Sequence, residues 1–262
     1  MLQNAQKNDG DKRVFLKKIL PAALATAVFV SPVNALDLGQ MTEQERALFR
    51  EEIRAYLMDN PEVIMEAVQA LEQRQAEAQA AADFDLVSKY SDAIFNDGFS
   101  YIGGNPDGDI TLVEFMDYRC GFCKRAFDEV ESLLKADGNI RFVVKEFPIL
   151  GEQSLLASRF AIATRLVAGD DAYKTIHDAL MAYNGEITIA SLKRLAGTLQ
   201  LDADGIEARM DDAVITEQLQ ATRELAQRLQ ISGTPTFVLK DELLRGFLPA
   251  DQLEIIVDQK RS

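Results

Sequence analysis

A single histidine, only two cysteines and a shortage of basic residues set the first limits on what this 262-residue chain does. With His177 as its one imidazole, the chain cannot assemble a His-rich zinc site, and a Ser-His-Asp triad would rest on that residue alone. Most hydrolase chemistries drop out. Cys120 and Cys123 cannot close a long-range structural disulfide, so sulfur chemistry is confined to one point of the chain. The 28 Lys and Arg against 42 Asp and Glu give a formal net charge of -14, which leaves no electrostatic footprint for phosphate backbones or anionic lipid. Nucleic acid is not expected as a partner. What is present is apolar material, 47% of residues, enough for one large core or two small ones.

Lys12, Arg13, Lys17 and Lys18 precede an apolar run over residues 19–30, and Ser31-Pro32-Val33-Asn34-Ala35 then offers small residues for a cut after Ala35. This is the layout of a secretory signal peptide, residues 1–35. The run is 12 residues long with Pro21 inside it. That falls short of the roughly 20 residues that span a hydrocarbon core, so cleavage is expected rather than anchoring. Export to the periplasm is expected, an oxidising compartment in which a lone cysteine pair can cycle through a disulfide.

Residues 36–95 read as helical. Thr42 and Glu45 form a capping box, and Leu48, Phe49, Ile53, Tyr56 and Leu57 follow at helical spacing as far as Asn60-Pro61. A second helix carries Ile64, Val68 and Leu71 and continues into the polar, Ala-rich run from Gln73 to Ala82. Neither helix can bury its stripe alone. The stripe is expected to join protomers and the polar run to act as a stem; packing of both helices back onto the rest of the chain is the alternative.

Residues 96–262 change character. Short strands are expected at Phe99–Ile102, Ile110–Phe115, Arg141–Phe147, Thr236–Leu239 and Leu243–Phe247. A helix with Phe127, Val130, Leu133 and Leu134 on its periodic face follows the cysteines, and Asp251–Val257 closes the chain as another. Between the third and fourth strands, about residues 149–230, the pattern is wholly helical.

Cys120-Gly121-Phe122-Cys123 places two sulfurs within one helical turn where a strand hands over to a helix. The free N–H groups and positive dipole end of that helix favour thiolate at Cys120, the expected nucleophile, while Cys123 inside the first turn is the resolving thiol. Two thiolates at this spacing are also half of a zinc or Cu(I) site, but no second CxxC or His pair completes one within the chain, so no metal is assigned. No cofactor is assigned either.

The segments Glu114-Phe115-Met116-Asp117-Tyr118-Arg119-Cys120-Gly121-Phe122-Cys123, Lys145-Glu146-Phe147-Pro148 and Gly233-Thr234-Pro235-Thr236-Phe237 together resemble the DsbA-like thiol-disulfide oxidoreductases of the thioredoxin superfamily. The two N-terminal helices resemble the oligomerisation segment of that family's copper-sensitivity suppressor C branch. The resemblance implies an α/β thioredoxin fold with an all-helical insertion, preceded by an N-terminal helical oligomerisation segment. It implies that Pro235 is cis and that Thr234 and Pro235 line the cysteine pair and meet the substrate. Glu114 stands where these folds keep a buried acid near the resolving cysteine; a partly exposed strand glutamate is the competing reading, and Asp117 is the weaker candidate for the acid. Arg119 and Lys124 read as solvated charges and His177 as a surface or packing residue. The strong oxidants of the family carry a histidine inside the CxxC, whereas Gly121-Phe122 together with Thr234 before the proline looks more like the disulfide isomerases, so the resemblance implies isomerisation or reduction rather than oxidation. A dithiol oxidase, a Cu(I)-sequestering module and a non-enzymatic helical assembly protein are the alternatives. The expected partners are cysteine-containing client proteins, a membrane thiol-disulfide redox protein and further copies of the chain.

Overall fold

The structure is a computed structural model that describes residues 39–261; the expected signal peptide, residues 1–35, lies outside them. Two compact units divide the chain between Val63 and Ile64. The described part of the first is essentially one helix, α1 (Glu43–Asp59). Its start is fixed reciprocally: Thr42 Oγ1 accepts from Glu45 N–H at 3.3 Å, and Glu45 Oε2 accepts from Thr42 N–H at 2.8 Å. α1 buries no residue, and Leu48, Phe49, Ile53 and Tyr56 are all exposed.

The second unit is entered along α2 (Glu62–Lys89), a 28-residue helix whose residues 64–82 are all exposed. Packing begins at Asp83. Its carboxylate takes a two-pronged hydrogen bond from Arg245, at 2.6 and 2.9 Å, and Val87 is buried one turn later. A short helix, α3 (Ser91–Phe95), then buries Ile94 and leads into the sheet.

Five strands, β1 (Tyr101–Gly104), β2 (Ile110–Met116), β3 (Ile140–Glu146), β4 (Thr236–Leu239) and β5 (Glu242–Arg245), lie in the order β1-β3-β2-β4-β5. β2 and β3 are parallel, and the β1–β3, β2–β4 and β4–β5 pairs are antiparallel. The crossover joining β2 to β3 is α4 (Gly121–Asp137), which ends where Gly138 takes the left-handed conformation at φ 70°. Between β3 and β4 the chain is helical throughout: α5 (Glu152–Ala168), α6 (Asp170–Ala182), α7 (Ile189–Thr198), α8 (Ala203–Arg209) and α9 (Ala213–Arg228). The terminal helix is α10 (Ala250–Arg261), whose first turn is capped from outside as Ala250 N–H donates to Glu129 Oε2 at 2.8 Å. This is a thioredoxin-type sheet with an all-helical insertion.

Both faces of the central strand are buried, which is why β2 reads as a nearly unbroken apolar run. Alternation along it divides the core. Leu112 and Met116 face α4, α5 and α6, with Phe160, Ile176 and both cysteines in the same cluster; Val113 and Phe115 face α2, α3 and α9, with Ile94 and Leu229. Glu114 shares the pleat parity of Leu112 and Met116. A carboxyl is thereby placed on the cysteine side of the sheet.

Candidate active site around Cys120 and Cys123

Met116 ends β2, and four residues later Cys120 caps α4 with extended dihedrals and no side-chain capping bond of its own. The approach is fixed by Asp117. Its carboxylate accepts from Arg119 N–H at 2.7 Å and from the Ile149 and Leu150 N–H groups at 2.8 and 3.0 Å, tying the cysteine segment to the loop after β3. Asp117 is fully buried and committed to these three donors, which makes it a loop organiser.

Cys120 is 7% exposed and Cys123 is closed to solvent, and both thiols are free. The Cys120 thiol is pushed down to about 5, first by hydrogen bonding from the Cys123 thiol, then by the Thr234 side chain and the Cys123 and Phe122 N–H groups; burial opposes the shift. Cys123 moves the other way, well above an ordinary thiol, because it gives its proton to Cys120, is desolvated and feels the charge of Glu114. One sulfur is thus held as thiolate and its neighbour as thiol.

Thr234 and Pro235 meet this pair from the β4 side. The Thr234–Pro235 peptide is cis, and in its protonated form Cys120 donates to the Thr234 carbonyl oxygen at 3.1 Å. Pro235 O in turn accepts from Gly246 N–H at 2.9 Å, which brings the loop after β5 alongside. Glu114 is 3% exposed, not half out of the sheet, and its Oε1 has no hydrogen-bond partner. Burial, and secondarily the negative charge of Cys120, push its carboxyl up to about 8. The structure therefore gathers Cys120, Cys123, Thr234, Pro235 and Glu114 in one place.

Arg119 and Lys124 are not simply solvated. Arg119 Nη1 donates to Gly185 O at 3.1 Å, and Lys124 Nζ donates to Tyr183 O and, at 3.5 Å, to Asn184 Oδ1, so both hold the loop after α6 against the start of α4. His177 is a packing residue, and a buried one at 3% exposure. It belongs to a polar network that the sequence reading missed. Glu146 Oε1 accepts from Tyr118 and Tyr173 hydroxyls at 2.7 and 2.6 Å, its Oε2 accepts from Ser158 at 2.7 Å, and Tyr118 Oη lies 2.9 Å from His177 Nδ1. Because the Tyr118 proton goes to Glu146, Nδ1 of His177 is the donor in that last contact. Burial lowers the imidazole to about 3 and keeps it neutral. Among the described residues, no group of three or more His, Cys, Asp or Glu side chains is arranged to hold a metal ion.

Comparison with known proteins fits this geometry. A thioredoxin-like oxidoreductase from Silicibacter pomeroyi DSS-3 is 40% identical and superposes with a TM-score of 0.62, covering 65% of this chain and 96% of its own. Proteus mirabilis ScsC in a transitional conformation is 29% identical with a TM-score of 0.61, covering 86% of this chain and 98% of its own. The Na(+)/H(+) antiporter NhaA 3 of Salinispora tropica is 30% identical over 146 residues, 56% of this chain, and the chain spans only 22% of that antiporter's length. Residues 45–78 match the copper resistance protein ScsC N-terminal domain, and residues 111–259 match the DSBA-like thioredoxin domain. With that second match running from the strand before the cysteines into the last helix, the chain belongs to the DSBA-like thioredoxin domain family and carries an N-terminal segment of the ScsC type.

Proposed function

We propose that this protein is an exported, periplasmic thiol-disulfide oxidoreductase that isomerises or reduces disulfides of client proteins. The observation that carries the reading is the asymmetry of the two sulfurs, with Cys120 lowered to about 5 beside a Cys123 held protonated. At neutral pH the Cys120 thiolate attacks one sulfur of a client disulfide; an S–S bond to the client forms, the client's own S–S bond breaks, and the second client sulfur leaves as thiolate. In isomerisation that freed thiolate attacks a second client disulfide, and a client thiolate then attacks the client sulfur bonded to Cys120, forming a new client S–S bond and releasing Cys120 as thiolate with no net electron transfer. In reduction, Cys123 loses its proton, attacks Cys120 and releases the client as a dithiol. The Cys123 proton needs an acceptor, and the ionised fraction of the unpartnered Glu114 carboxyl supplies one, a fraction that grows once Cys120 is bonded to the client and its negative charge is gone.

Thr234 and Pro235 form the edge against which an extended client segment lies, and proline offers no N–H of its own to that segment. A membrane thiol-disulfide protein is the expected source or sink of electrons. The apolar residues left exposed on α1 and early α2, Leu48 at 63% and Ile64 at 50% among them, support assembly of several copies through the N-terminal segment. A second reading, dithiol oxidation, is favoured by the same thiolate, since stabilising Cys120 as thiolate stabilises the reduced pair and makes the disulfide a better oxidant.

Refolding of scrambled ribonuclease, run beside oxidation of reduced ribonuclease, separates the readings. The isomerase account expects the reduced protein to recover native ribonuclease from the scrambled form. If only the oxidised protein acts, and only on the reduced form, the oxidase reading replaces it.

A further inference from the structure

One exposed feature beside Cys120 is left unused by the exchange chemistry. Arg125, one turn into α4, has its guanidinium 4.5 Å from the centre of the Phe247 ring and 5.6 Å from that of Phe122. Phe122 lies between the two cysteines in sequence and is 56% exposed. Phe247 follows Gly246, whose N–H is bonded to Pro235 O, and Thr234 O is bonded by Cys120. A series of contacts therefore runs from the Cys120 thiol through Thr234, Pro235 and Gly246 to the Phe247–Arg125–Phe122 stack, which forms a rim beside the cysteine pair.

The charge at this rim is not neutralised. Arg125 is exposed and forms no ion pair among the described residues, in a chain where acids outnumber bases 42 to 28. Helical spacing offers it Asp128 and Glu129, three and four residues on; neither forms an ion pair with it among the described residues, and Glu129 Oε2 accepts from Ala250 N–H at 2.8 Å. The acids nearest in sequence on the other side of the cysteines, Glu114 and Asp117, are buried. Arg119 and Lys124, also close to the cysteines in sequence, have their donors turned onto backbone carbonyls of the loop after α6. Two aromatic faces hold the Arg125 fork without using its donors, so it remains available to a carboxylate.

Resting on the exchange function proposed above, we propose that Arg125, held between Phe122 and Phe247, is a specificity-determining residue that selects client segments bearing an Asp or Glu side chain close to the reactive cysteine. The net charge of the chain acts at long range, but within a Debye length of about 8–10 Å the local rim sets the sign an approaching segment meets. The guanidinium pairs with the client carboxylate while the flanking rings exclude water from one side of the contact.

The test uses the full chain in its reduced state and two synthetic peptides, each carrying one intermolecular disulfide and differing by Glu or Gln two residues from the cysteine. Stopped-flow rates of mixed-disulfide formation are expected to favour the Glu peptide about two- to fivefold at low salt, with the ratio shrinking as salt rises. Arg125→Gln should bring the ratio to about one, Arg125→Glu should invert it, and Arg125→Lys should restore part of it. Equal rates for the two peptides with the wild-type chain, or a preference that survives Arg125→Gln, overturns the proposal and leaves the exchange function intact. If neither peptide reacts, the exchange function itself fails, and this inference falls with it.

Discussion

At the residue scale the site is a set of protons held in unequal places. Cys120 and Glu114 are displaced in opposite directions, the thiol down to about 5 and the carboxyl up to about 8, with burial first and the negative charge of Cys120 second pushing the carboxyl up. The signs have consequences for stability. A thiol lowered in the folded protein stabilises the reduced form fully above the ordinary thiol value of 9.0, and that contribution is lost progressively as pH falls from there to about 5. A carboxyl raised in the folded protein does the reverse: the native state keeps a proton that the unfolded chain has given up, so stability falls as pH rises from 4.5 toward 8. Glu114→Gln keeps the shape and removes that loss. Reduced Glu114→Gln protein is expected to gain on wild type steadily from pH 5 to pH 8, by on the order of 2 kcal/mol at the upper end. The gap should narrow in the disulfide form, where no Cys120 thiolate faces the carboxyl. Urea midpoints of both redox forms at each pH would measure it, and a pH-independent difference would remove Glu114 from the electrostatics of the pair. The cysteines, Thr234 and Pro235 were legible in sequence because short-range motifs carry them. Arg125 was not, since its meaning depends on Phe247 arriving from more than a hundred residues away.

At the scale of elements, the network around Glu146 is what fastens the helical insertion to the sheet. Its members come from β3, the turn before Cys120, α5 and α6, so Tyr118, Ser158, Tyr173 and His177 report one junction. Burial pushes Glu146 up to about 7, its three hydroxyl donors opposing the shift. Tyr118→Phe deletes one of those donors and leaves His177 Nδ1–H without its acceptor. A loss of about 1–3 kcal/mol is expected, larger at pH 8 than at pH 5, because the ionised carboxylate is the form that needs the donor. Chemical denaturation at the two pH values checks this; equal losses would place the cost in packing alone. No pattern along the chain announces such a junction, for its residues are spread over 60 positions and each alone looks like an ordinary polar interruption of an apolar face. Periodicity did announce α4, α5, α6, α7 and α9, all of which bury a stripe. It did not set α3 and α8 apart within the helical stretches, since each is one or two turns long and buries a single residue, Ile94 and Ile206. β5 stops at Arg245, short of the expected Phe247, because Gly246 turns the chain with φ 93° and frees Phe247 to meet Arg125.

At the scale of the whole molecule, the open question is how many copies work together. α1 buries nothing and α2 buries nothing before Asp83, so their apolar side chains, worth roughly 1.5–3 kcal/mol each when buried, are left in water in a single chain. Leu48→Glu with Ile53→Glu is expected to yield monomers by light scattering with the catalytic unit intact, since neither residue belongs to its core. On the proposed isomerase reading such monomers keep simple dithiol exchange and lose most isomerase activity, because a client held on one protomer would no longer meet a second thiolate at high effective concentration. A wild-type chain that is already monomeric would contradict this.

The exchange chemistry depends on Cys120 being the thiolate. The direct measurement is alkylation of the reduced wild-type protein against pH, with the labelled cysteine identified by mass spectrometry. Labelling at Cys120 with a midpoint near pH 5, and none at Cys123 below pH 9, is the expected result. Labelling that reaches Cys123 first, or that rises at both sulfurs together near pH 9, would contradict the account.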